Sequence, residues 1–179
     1  MEHDIHTTPF KVGLKYGAIL GIAMSVLGLI FHYAGLNDDP LNTSITQTIL
    51  TTGLSWVILF VGFFFGIKYF KQANEGHLTF GEGLITSLFI GVISGIISAI
   101  FSFIFFSYVA PDLASSLSEA ALEGAKEGNP EIDAEGEEMM NNMMSTIMSP
   151  GVMAAIGFVT RIFTAVIFGI IGTLIQKTE

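Results

Sequence analysis

An all-α bundle of four transmembrane helices is predicted here, with both termini cytoplasmic and a long acidic extracytoplasmic segment between the third and fourth helices. Three observations lead there. Four apolar stretches are each long enough to cross a hydrocarbon core, which takes roughly 20 helical residues. Of 179 residues, 51% are hydrophobic and 13% charged, with a mean hydropathy of +0.65, outside the range of an ordinary soluble domain. The lysines are also sorted by side. Lys11 and Lys15 stand at the first span, Lys68 and Lys71 lie between the second and third, and Lys177 follows the fourth, whereas Lys126 alone occupies the other side. The Lys-rich side stays in the cytoplasm.

The spans run over residues 12–34, 48–70, 80–109 and 150–175, in a single integral membrane domain covering 1–179. Each has to be helical, because lipid offers backbone groups no hydrogen-bond partner and none of the runs alternates as a barrel strand does. The first is too long for a signal-peptide core and three more follow it. Lys15 lies near enough to the boundary for its stem to carry the ammonium to the interface. Spans two and three are joined by a short cytoplasmic hairpin. Gly76 suits a helix terminus there, and Thr79 with Glu82 makes a T-x-x-E capping box that opens span three. Ser149 and Pro150 read as N-cap and first residue of span four, and Pro111 closes span three.

Small residues recur every four positions: Gly13, Gly17, Gly21 and Ser25; Gly62 and Gly66; Gly83, Ser87, Gly91, Gly95 and Ala99. Such stripes let helices approach closely in lipid, where van der Waals packing drives association, and they predict a compact bundle.

The segment 111–149 carries Asp112, Glu119, Glu123, Glu127, Glu131, Asp133, Glu135, Glu137 and Glu138 against Lys126. Leu113, Leu117 and Ala121 predict a short amphipathic helix, the stretch around Pro130 breaks it, and Met139, Met140, Met143, Met144, Ile147 and Met148 predict one face of a second helix. That face suits the outer membrane interface or the top of the bundle, an adaptable partner surface, or soft Cu(I). Methionines without Cys or a nearby His make a poor metal motif, and no calcium-loop pattern is present.

Two residues stand out as functional candidates. Arg161 lies about 16 Å down span four, near mid-membrane, on a face shared with Gly157, Ala165, Gly169 and Thr173, so it is expected to look into the bundle. The hydroxyls of Ser25, Ser55, Ser94, Ser98 and Ser102 are the polar groups at its depth. An intramembrane arginine is costly, and marks either a solute path or a snorkelling or oligomer-pairing residue. Glu82 is first a cap and otherwise a proton acceptor at the membrane boundary, about 20 Å from Arg161 along the helices. His32 and His77 read as interfacial, and His3 and His6 as part of a tail.

No cysteine is present, which excludes disulfides, thiolate metal sites and cysteine nucleophiles. The formal net charge of -9 and the lack of a basic patch argue against nucleic acid. No serine-hydrolase, zinc-protease, Walker or dinucleotide pattern occurs, so no enzyme, cofactor or metal is expected.

The run from Gly66 to Leu84, followed by Tyr108–Leu113, the acidic Met-rich segment and Met148–Ala154, resembles the bacterial membrane proteins grouped as domain of unknown function 4199. The likeness covers nearly the whole chain, and its most specific piece is Phe80, Gly81 and Glu82. Glu82 falls on that pattern; Arg161 does not. The resemblance implies a multi-pass protein of the bacterial inner (plasma) membrane and brings no activity, substrate or cofactor. The expected function is a small accessory or scaffold protein in the lipid bilayer that binds a protein partner or a further copy of itself. The alternative is an oligomeric transport or channel unit using Arg161 and Glu82 along a polar path.

Overall fold

The computed structural model describes residues 7–36, 44–128 and 133–178. Its long helices are α1 (Pro9–Tyr33), α2 (Ile45–Ala73), α3 (Phe80–Ile104) and α6 (Pro150–Gln176), and between the last two stand α4 (Pro111–Gly128) and α5 (Ala134–Ile147). The described residues contain no strand. The long helices, the third counted on to Val109, are long and apolar enough to cross a membrane. They match the four predicted spans to within a few residues.

Local chemistry accounts for most ends. Thr8 caps α1 by accepting from the Lys11 N–H, with Pro9 in the first turn. α1 stops at Gly35, whose φ of 68° is left-handed, and the Leu36 N–H returns to the Phe31 carbonyl. Ser44 and Gln47 form a reciprocal capping box at α2. α2 ends in the same kind of reversal, with Glu75 and Gly76 at φ 51° and 84° and the Gly76 N–H bonded to Lys71 O. Span three does not simply stop at Pro111. It loosens into a π-helical turn, Phe105–Val109, and Pro111 then opens α4. Ser149 also departs from expectation: its side chain does not cap α6 but donates backward to the Thr146 carbonyl at 2.7 Å. Pro150 at the first helical position still requires no N–H partner.

Packing centres on α3. One face meets α1 running parallel, with Gly13, Gly17 and Gly21 set against Phe89, Ile93 and Ile97. The other meets α6 running antiparallel, with Gly83 against Thr173, Ser87 against Gly169, Gly91 against Ala165 and Gly95 against Arg161. Each step of four up α3 matches a step of four down α6, so a small residue stands on at least one side at every level. α2 closes the bundle, with Gly62 on Leu20 of α1 and Gly66 on Tyr16 and Ile90. Phe63, Ile67 and Ile90 are fully buried where these helices meet.

The outside is inverted relative to a water-soluble protein. Ile19, Ile22, Ile30, Ile49, Val57, Ile100, Phe163 and Ile175 are all exposed, a surface that water would not tolerate and lipid wets without cost. Large residues thus also face out, while small ones line the α1–α3 and α3–α6 seams.

α4 and α5 form a helical hairpin with no buried residue, clasped by Lys126 to Glu137 at 3.1 Å. Leu113, Leu117 and Ala121 share a half-buried face, as the spacing predicts. The methionines differ from expectation, for they do not act as one face. Met140, Met144, Ile147 and Met148 are half-buried, while Met139 and Met143 stand 73% and 50% exposed. Adjacent helical residues are about 100° apart, too far for paired methionines to point one way. Glu131 lies outside the described residues.

The α1–α3 seam leads to a direct expectation. A Cβ on Gly17 would stand 2.8 Å from Ile93 Cβ and 2.9 Å from the Ile90 carbonyl, neither of which can swing away. Gly17→Val is expected to cost about 1 to 3 kcal/mol. Gly53→Ala, which meets nothing within 4 Å, should leave stability in detergent unchanged. Thermal unfolding of both variants checks the pair.

Candidate functional site

Glu82 sits in the first turn of α3, where its carboxylate accepts the Thr79 N–H at 2.9 Å and the Thr79 hydroxyl at 2.8 Å. In return the Glu82 N–H donates to Thr79 Oγ1 at 3.3 Å. The predicted capping box is present and occupies this carboxylate. Around it the end of the bundle is tied together by polar groups from distant parts of the chain. Lys71 Nζ donates to the Gln176 carbonyl at 2.6 Å, and Gln176 Nε2 to the Phe64 carbonyl at 3.1 Å. The Leu78 N–H donates to Thr178 Oγ1 at 2.8 Å. These bonds fasten the C-terminal end of α6 to the α2–α3 turn. Spacing in the sequence carried no signal for Gln176, which is buried and bonds a carbonyl about a hundred residues earlier.

Arg161 faces α3, as its small-residue neighbours predict: a Cβ on Gly95 would meet Arg161 Cβ at 3.3 Å and Cγ at 3.4 Å. Its side chain is half-buried. Helical side chains lean toward their own N-terminus, so the guanidinium leans away from the tied end. Just beyond it a groove opens between the two helices. A Cβ on Gly157 would meet nothing within 4 Å, and an apolar opening of about 330 Å³ lies between Ile96, Ala99, Ile100, Ala154 and Phe158.

The expected hydroxyl partners are not assembled around this arginine. Ser25 donates to Gly21 O, Ser55 to Thr51 O and Ser94 to Gly91 O, each spending its proton on its own helix. Ser98, one turn above Gly95, has a shielded hydroxyl without a hydrogen-bond partner among the described residues. No described residue forms an ion pair or side-chain hydrogen bond with Arg161. Nor are Arg161 and Glu82 brought together. Gly95 faces Arg161 and Gly83 begins the same seam beside Glu82, about 18 Å away along α3. Gly91 with Ala165 and Ser87 with Gly169 fill the interval without a gap.

A bundle with an apolar exterior, seams of small residues and four membrane-length helices defines a multi-pass membrane protein. Within that class the chain belongs to the family described as protein of unknown function (DUF4199), whose model matches residues 15–178. Neither a curated protein nor a solved structure matches it.

Three substitutions read out the local chemistry. Glu82→Gln keeps an acceptor for the Thr79 N–H, as Gln47 does for Ser44, and is expected to change stability by a few tenths of a kcal/mol, whereas Thr79→Ala costs about 1 kcal/mol. Arg161→Met, which removes a charge without a protein partner, should leave thermal stability in detergent unchanged or raise it. A melting temperature that falls by several degrees would show instead that the guanidinium is paired.

Proposed function

We propose that this protein is a non-catalytic accessory or scaffold protein that holds a partner through the α4–α5 hairpin. The observation that carries this reading is the hairpin's construction. It is a helical element with no buried residue, set on a rigid bundle, with an excess of carboxylates and with Met139 and Met143 exposed beside Glu135 and Glu138. Methionine is an adaptable contact residue, and a rim of carboxylates favours a basic counterpart. Lys11, Lys15, Lys68, Lys71 and Lys177 gather at the opposite end of the bundle. By the charge rule that end faces the cytoplasm, which places both termini inside and the hairpin on the far side of the inner membrane.

A transport path through one copy of the chain has less support. The line from Glu82 to Arg161 is occupied by close-packed Gly, Ser and Ala contacts, and the openings between α1 and α2 and between α3 and α6 are apolar grooves on the outer surface. The experiment is crosslinking in native membranes, comparing the intact protein with one lacking 115–144. The expected outcome is a partner captured by the intact chain and lost on deletion, with the bundle still inserted. Capture that persists without the hairpin would overturn the reading. In proteoliposomes, solute flux abolished by Arg161→Ala would favour the transport alternative.

A further inference from the structure

Along their middle turns α1 and α2 do not close completely. A groove of about 240 Å³ runs between them, lined by Tyr16, Ile19 and Ala23 on α1 and by Val57, Ile58 and Val61 on α2. No polar surface lines it. Its floor is Leu20, held against Gly62, where a Cβ would stand 2.6 Å from Leu20 Cδ1. From Tyr16 to Ala23 the groove is about 10 Å long, the scale of a segment of acyl chain.

The Tyr16 end of this groove is cationic. Lys15 Nζ lies 4.4 Å from the Tyr69 ring centroid and 5.5 Å from that of Tyr16, and the two tyrosine rings stand 5.4 Å apart. The ammonium is thereby held at the mouth of the groove by two aromatic faces instead of ranging freely. Lys11 is one turn earlier on the same side of α1, and Lys68 adjoins Tyr69 on α2; all three lysines are exposed. Among the described residues none of them has a carboxylate partner. Among the described residues the acids at this end are Glu82, bound into its cap, and Glu75 in the turn, while Glu2 and Asp4 lie outside them. Lys15 is seven residues into α1, so its ammonium reaches headgroup depth while the groove continues into the hydrocarbon.

From this juxtaposition of an uncompensated, aromatic-braced cation with an apolar groove, we infer that the α1–α2 groove is a binding site for an anionic phospholipid. One acyl chain lies along Ala23 and Val57, and the phosphate sits at Lys15 with Tyr16 and Tyr69. Basic pockets between membrane helices select anionic headgroups in this way. The site is independent of any role for the hairpin.

The test uses the full-length protein in non-ionic detergent, titrated with dioleoyl phosphatidylglycerol or dioleoyl phosphatidylcholine, with the melting temperature reporting apparent affinity. Phosphatidylglycerol should bind about tenfold more tightly than phosphatidylcholine. Lys15→Gln should weaken phosphatidylglycerol roughly fivefold and leave phosphatidylcholine unchanged. Ala23→Phe, or Ile19→Trp on the more exposed wall should the first fail to fold, should weaken both lipids by filling the groove. Inorganic phosphate at the same concentration should produce no shift. Equal affinity for the two lipids, or Lys15→Gln indistinguishable from the parent, would overturn the headgroup assignment. Undiminished binding to the filled groove would overturn the site. A disulfide between two Val57→Cys copies that persists in excess phosphatidylglycerol would put a second copy of the chain there instead and would also defeat the inference.

Discussion

Close approach of α3 to both its neighbours is the constraint on which the rest of the structure depends. Inside a bilayer no water is expelled when two apolar helices meet, so stability comes from the number of atoms brought into contact. Gly13, Gly17 and Gly21 admit Phe89, Ile93 and Ile97, and Gly83 and Gly91 admit Thr173 and Ala165. With side chains at those glycines the helices would stand apart, and the buried residues Phe63, Ile67 and Ile90 would lose the walls they pack against. α2 makes fewer such approaches. It is secured at its C-terminal end by hydrogen bonds and at its middle by aromatic contacts of Trp56 and Phe60 with Phe168.

The two ends of the bundle are consequently different in kind. One is tied by Lys71, Gln176, Thr178 and the capping box of Thr79 with Glu82, so three helix termini and a turn behave as a unit. At the other, α3 loosens through its π-helical turn, a groove opens between α3 and α6 beside Phe158, and the α4–α5 hairpin sits with nothing of its own fully buried. Local opening is cheapest where few apolar contacts oppose it. The loose end also carries the carboxylates and the exposed methionines. The tied end presents lysines and tyrosines.

Arg161 and Glu82 came to attention in the sequence for opposite reasons, one as an expensive charge in lipid and the other as part of a cap. The structure gives Glu82 the cap in full. It gives Arg161 a position facing α3 but no ligand set among the described residues, and Ser25, Ser55 and Ser94 at its depth bond carbonyls of their own helices. A hydroxyl three or four residues from a carbonyl in the same helix has a nearer acceptor than any on a neighbouring helix, and shared depth alone does not overcome that advantage.

Four spans, their helical state, most of their caps and the small-residue stripes were legible in the sequence alone. Each depends on interactions within a few residues or on the length of an apolar run, and such terms can be summed along the chain. Which stripe meets which helix, the split of the methionines into Met140 and Met144 inward and Met139 and Met143 outward, the bond from Gln176 to Phe64 and the groove between α1 and α2 were decided only by tertiary packing. Those features join residues tens to a hundred positions apart. Their energies exist only once the helices have chosen a mutual rotation and register, and a periodic stripe permits several such choices until the side chains on the opposite helix select one.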